Sequence, residues 1–164
     1  MTFDEPTNTE ALVLSCMDYR LIGPVADYLD GRGLRGRYDQ IVLAGGAIGV
    51  MSEETTAWAE TFWQHVKMAR DLHGIKRIIV IDHRDCGACK AFVGITCADE
   101  RAGETAIHTH WMAALADEIR RRAPGLDVEL ILMDLDGSVE VIREPTAADA
   151  TNPVSYSHLR AHET

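Results

Sequence analysis

The order of apolar and polar segments predicts an α/β domain: a mainly parallel central sheet flanked by helices, with an antiparallel strand at one edge. Three observations carry this. Short runs rich in β-branched residues alternate with longer stretches whose apolar residues recur at helical spacing. The third run, IKRIIVID at residues 75–82, is continuously apolar, as a strand covered on both faces must be. The last two runs, VELILMDL and SVEVI, meet at Asp136-Gly137, a strong signal for a hairpin.

The elements follow in order. ALVLSCM (11–17) is a buried strand, and GPVADYLDGRG (23–33) a short helix that ends in glycine. YDQIVLAGG (38–46) is the second strand. A long helix then carries Trp58, Phe62, Val66, Ala69 and Leu72 on one stripe, with Ser52 as its N-cap and Gly74 as its stop. After the third strand comes a loop around Cys97, and then a helix over 104–122 broken by Ala-Pro-Gly. The basic run Arg120 to Arg122 falls in its last turn, where cations favour the helix dipole. The two closing strands complete the sheet. No internal repeat or linker interrupts this order.

Composition bounds the function. A chain of 164 residues, 46% apolar, buries a core without disulfides, so the four cysteines need another explanation. The acidic, polar N-terminus lacks the features of a signal peptide, and no apolar run reaches the roughly 20 residues that cross a bilayer. The expected compartment is the cytoplasm, where thiols stay reduced and serve as metal ligands or catalysts more often than as bridges. A net charge of −10 excludes nucleic acid as the expected partner. The domain is expected over residues 1–144, followed by a polar tail over 145–164. The last dozen residues, PVSYSHLRAHET, resemble adapter read-through, so His158 and His162 receive no role.

The chemistry concentrates at the ends of the first and third strands. In open α/β sheets ligands bind beyond the carboxyl ends of the strands. Cys16 ends the first strand; His83 ends the third, with Cys86 three residues on. Three such ligands suit tetrahedral Zn²⁺ with the fourth position left to solvent, the pattern of a catalytic site. Beside Cys16, Asp18 and Arg20 are spaced to form an ion pair. That pair keeps the carboxylate ionised and turned to accept a hydrogen bond from zinc-bound hydroxide.

Cys16-Met17-Asp18-Tyr19-Arg20, followed by His83-Arg84-Asp85-Cys86-Gly87, resembles the C-x-D-x-R and H-x-x-C-G motifs of the β-class carbonic anhydrases. The resemblance spans about residues 11–142. It implies Cys16, His83 and Cys86 as zinc ligands and Asp18 with Arg20 as a catalytic dyad. The implied reaction is reversible hydration of carbon dioxide to bicarbonate, in a homodimer or a multiple of dimers. It also implies a closed state in which Asp18 becomes the fourth ligand. The chain departs from the family pattern in several places. Val42-Leu43-Ala44-Gly45 stands where many members carry R-N-A-G, few residues precede the first strand, Tyr19 replaces a small residue, and Cys89 is added. Tyr19, Gly45, Gly87 and Cys89 are therefore candidate pocket or supporting residues. Carbonyl sulfide or carbon disulfide hydrolysis on the same site is an alternative.

Other features have plainer readings. Cys86-Gly87-Ala88-Cys89 matches a C-x-x-C redox pair, and a non-catalytic zinc or redox domain is the rival it supports. That rival leaves Cys16, His83 and the Asp18/Arg20 pair unused, so Cys89 is expected as a packed or supporting thiol rather than a ligand. AGGAIG (44–49) lacks a full dinucleotide-binding order and instead suggests close backbone approach to the metal pocket or to a partner subunit. His108 and His110 are expected as surface or interface residues of an amphipathic helix, and Trp58, Phe62 and Trp63 as core or dimer contacts.

Overall fold

The computed structural model describes residues 9–94 and 101–142. Cys97 and the polar tail lie outside the described residues. Among the described residues five strands form one sheet: β1 (Ala11–Ser15), β2 (Tyr38–Val42), β3 (Arg77–His83), β4 (Asp127–Met133) and β5 (Val139–Val141), in the spatial order β2-β1-β3-β4-β5. The first four are parallel, and β5 returns antiparallel on β4. The expected fold class holds, including the edge hairpin, where the Ser138 N–H donates to Asp136 Oδ1 at 2.8 Å.

Alternation along the strands divides the core. Leu12, Leu14, Ile78, Val80, Leu130 and Leu132 face one side, packed with Phe62 and Val66 of α3 (Thr56–His73) and with Met112, Leu115 and Ile119 of α5 (Arg101–Arg122). Ala11, Val13, Ile79, Ile81, Ile131 and Met133 face the other, under Leu21 and under Val25 and Leu29 of α1 (Ile22–Gly31). Burying one such side chain contributes about 1.5–3 kcal/mol, so this two-faced pattern fixes the register of β1 and β3. With Ser15 beside Ile81, Cys16 and His83 emerge together at the carboxyl edge.

Several boundaries and burials differ from expectation. β1 stops at Ser15, because the chain turns out through Cys16 and Met17 toward a single 3₁₀ turn, Tyr19–Leu21, capped by Asp18. The glycine run after β2 opens a short helix, α2 (Ala47–Met51). Gly46 there has φ +53°, and a Cβ on it would lie 2.4 Å from Asp82 Oδ1, so only glycine lets the backbone pass. Ser52 caps the 3₁₀ turn Glu53–Thr55 ahead of α3 instead of α3 itself. Gly74 ends α3 as expected, in the left-handed conformation. Leu72, placed on the apolar stripe from spacing, is 63% exposed; the buried stripe is Phe62, Val66 and Ala69. A helix not foreseen, α4 (Gly87–Val93), follows Cys86 directly.

The largest correction concerns His108. It is not a surface residue but is fully buried, because the stripe Met112, Leu115, Ile119 continues back one turn to His108 and another to Glu104. His110, by contrast, stays on the outer side of α5.

Candidate metal centre

Cys16 lies just past the end of β1, where the Gly45 N–H donates to its sulfur at 3.2 Å. His83 is the last residue of β3 and is 1% exposed. Its Nδ1 lies 2.8 Å from the Arg84 carbonyl oxygen. That oxygen only accepts, so Nδ1 carries the proton and Nε2 presents a lone pair. Nε2 has no hydrogen-bond partner among the described residues. Cys86 sits immediately before α4, its sulfur 4.0 Å from that of Cys16. The three donor atoms lie within 4.8 Å of one another.

This geometry fits a metal ion. A buried nitrogen left unpaired costs about 1–3 kcal/mol, which a Lewis acid at Nε2 removes. Tetrahedral zinc with bonds of about 2.3 Å to sulfur would set two thiolates about 3.8 Å apart, close to the separation found. Two sulfurs and an imidazole are a zinc set rather than a magnesium or calcium set.

The protonation of the group points the same way. The hydrogen bond with Cys86 lowers the Cys16 thiol to about 4 against the opposing effect of burial, aided by His83 and by the Gly45 N–H. Cys86 is pushed up by the neighbouring Cys16 sulfur and by burial. Burial lowers His83, but the Cys16 thiolate beside it raises it on balance. The group therefore holds one thiolate at neutral pH, and a cation is what allows the second.

Asp18 and Arg20 stand at the rim of this group. Arg20 Nε donates to Asp18 Oδ1 at 3.0 Å and Nη2 to Oδ2 at 2.7 Å, and the Arg20 backbone N–H also reaches Oδ1. This bidentate clamp lowers the carboxyl to about 2. Asp18 Oδ2 also lies 3.9 Å from His83 Nε2, so one ionised oxygen faces the donor group. An open hollow of about 420 Å³ leads in, lined by Cys16, Met17, Asp18, Tyr19, Arg20, Ala44, Gly87 and Ala88. Tyr19 is 81% exposed there. Gly45 meets the group through its N–H to Cys16, and Gly87 lines the hollow.

Cys89 is buried beside Cys16, Cys86 and Ile48, with its sulfur disulfide-bonded. Cys16 and Cys86 are free, so Cys86 and Cys89 form no closed redox pair. Three polar features escaped the sequence reading. Asp85 holds Arg20 from the side opposite Asp18. Buried Arg84 pairs with buried Glu104 at 3.2 Å. Asp82 accepts from Ala47 N–H and pairs with His108 Nδ1, each at 2.9 Å. The interval of four between Glu104 and His108, in register with Met112, was the available signal.

A family model described as "Putative carbonic anhydrase" matches residues 7–143, which include every residue of this centre. The chain belongs to this carbonic anhydrase family. Among its relatives, uncharacterized proteins of Rickettsia conorii and Rickettsia bellii are each 35% identical to it. The first match covers 81% of this chain and 72% of the relative; the second covers 84% of both. Solved β-carbonic anhydrases share the fold. The enzyme from Glaciozyma antarctica superposes with a TM-score of 0.55 at 18% identity, over 84% of each chain. One described as tetrameric, from Sordaria macrospora, gives 0.56 at 16%, over 83% of this chain and 81% of its own. No helix among the described residues of this carbonic anhydrase family member is long and apolar enough to cross a membrane.

Proposed function

We propose that the protein is a zinc-dependent carbonic anhydrase that catalyses the reversible hydration of carbon dioxide to bicarbonate. The observation that carries this reading is the buried, unpaired His83 Nε2 converging with two thiols beside an arginine-clamped carboxylate. Cys16, His83 and Cys86 would hold the metal. Bound there, zinc supplies Lewis acidity, lowering the pKa of water from 15.7 to about 7 so that a nucleophile is available at neutral pH.

The chain's own residues do the rest. The Arg84 carbonyl fixes the His83 tautomer, and the Gly45 N–H spreads charge from the Cys16 sulfur. Asp18, ionised well below neutral pH, can only accept, so it orients an incoming O–H with its oxygen and leaves the lone pair turned toward substrate. Ala44, Ala88 and Met17 give the entrance an apolar wall suited to a small uncharged substrate. The same reading takes residues 1–144 as one zinc domain, acting as a homodimer or multiple of dimers. The tetrameric state of the Sordaria macrospora enzymes and the exposed Met17, Tyr19 and Ile22 near the entrance support an assembly.

The test is stopped-flow hydration of carbon dioxide by protein of measured zinc content between about pH 6.5 and 9, the range bracketing a pKa near 7. About one zinc per chain, with a rate that falls on chelation and in Asp18→Asn, is the expected result. Full zinc content with no hydration at any pH would remove carbon dioxide as substrate, and carbonyl sulfide and carbon disulfide would then be assayed on the same samples.

A further inference from the structure

Between the two ligands of the second motif stands a residue that the proposed chemistry leaves without a task. Asp85 has φ +55°, the one non-glycine residue in the left-handed region among those described. A residue other than glycine holds that conformation only where its surroundings fix it. Four contacts do so here. Arg20 Nη1 donates to Asp85 Oδ2 at 3.0 Å, and Arg20 Nη2 to the Asp85 backbone oxygen at 3.1 Å. Lys90, one turn into α4, holds the other carboxylate oxygen, Oδ1. The Asp85 N–H donates to Glu104 Oε1, and Glu104 is itself buried against Arg84.

The left-handed turn is what makes the double grip on Arg20 possible, because it brings the carbonyl and the carboxylate of one residue to the same guanidinium. Arg20 is thereby fixed on two edges: Nε and Nη2 toward Asp18, Nη1 and Nη2 toward Asp85. An exposed ion pair alone is worth little. This one is anchored through Glu104 and Arg84 to the core and through Lys90 to α4, so the guanidinium inherits the rigidity of the loop that carries His83 and Cys86.

We propose that Asp85 is a positioning residue, which registers Arg20, and through it Asp18, against the metal-ligand loop. The proposal rests on the hydration reading above for its consequence in rate but not for its geometry. Its action is indirect: Asp85 touches neither substrate nor donor atoms.

The test uses the full chain. Asp85→Gly removes the carboxylate while keeping a residue at ease at positive φ, and Asp85→Asn keeps the shape and one acceptor without the charge. Lys90→Met frees Oδ1 and leaves the Arg20 contacts in place. The direct readout is solvent exchange of the Arg20 Nε–H resonance in ¹⁵N-labelled protein, metal-free and zinc-loaded, assigned by its loss in Arg20→Lys. Zinc affinity by chelator competition and the kcat and KM for hydration accompany it.

Asp85→Gly is expected to speed Nε–H exchange and to lower kcat about tenfold, the scale of a misplaced catalytic group, with zinc affinity within about twofold. Asp85→Asn should fall between, and Lys90→Met nearest to the unaltered protein. Unchanged Nε–H exchange in Asp85→Gly overturns the proposal whatever the rate does. So does a fall in zinc affinity of about 10–100-fold with exchange unchanged, since that would make Asp85 a shaper of the ligand loop only. If the unaltered protein hydrates no carbon dioxide, exchange still decides the positioning role, and the two readings fail separately.

Discussion

Two carboxylates flank the candidate centre, and they differ in how much of their hydrogen-bonding capacity is left over. Asp18 sits at the entrance with its side chain 13% exposed, clamped by Arg20, and still turns Oδ2 toward His83. Asp82, directly before His83, is fully buried with His108, and both its oxygens are committed: Oδ1 to the Ala47 N–H, Oδ2 to His108 Nδ1. The first carboxylate keeps an acceptor in reserve at a hollow. The second ties β3, α2 and α5 together beneath it. Burial, not residue type, separates chemistry from architecture here.

The comparison breaks if the two pairs respond alike to mutation. Asp82→Ala leaves a buried histidine and an orphaned amide, and loss of one partner of such a pair is expected to cost about 3–5 kcal/mol in chemical denaturation. Asp18→Asn keeps the shape and is expected to cost about 1 kcal/mol. Its effect belongs in the assay instead, as a fall in hydration of about 100-fold, the scale of a lost acceptor for the reacting proton. Equal losses of stability in the two variants would mean that Asp18 is architectural too.

How much of this was legible follows the same division. The strands were, because continuous β-branched runs admit few alternatives; the spacing of Cys16, His83, Cys86, Asp18 and Arg20 repeats a specific pattern, and the fold brings these five to one place. Asp82 and His108 were not legible. An isolated histidine on a helix carries no mark of burial unless the stripe through Glu104, Met112, Leu115 and Ile119 is extended to it. Asp85 was illegible for another reason: its role depends on one positive φ angle, which a tripeptide pattern does not encode. Helix α4 was hidden by brevity and by the cysteines that drew attention to a loop.

Protonation sharpens the contrast further. At pH 7 the Cys16–Cys86 pair shares one proton and holds one thiolate, because a second negative sulfur would lie buried against the first. Zinc binding must expel that proton, so affinity rises with pH, about tenfold per unit for each proton released. His83 is also raised, so a second proton is released below its pKa and the dependence steepens on the acid side. Asp18, lowered to about 2, contributes nothing to this slope. Calorimetric titration with zinc in buffers of different ionisation enthalpy counts the protons. A count of zero at pH 7 would exclude the shared proton.

The smallest effect is expected where spacing promised burial and geometry denied it. Leu72 follows Phe62, Val66 and Ala69 on α3, yet its side chain is 63% exposed, two residues before the left-handed Gly74. Leu72→Gln therefore removes little area from contact, and the free energy of unfolding should change by less than about 0.5 kcal/mol. Phe62→Ala on the same stripe should cost about 3–5 kcal/mol, because it opens a cavity between α3 and the sheet. A cost at Leu72 approaching that at Phe62 would show that Leu72 is covered in solution, and would place it with Asp82 on the buried side of the comparison.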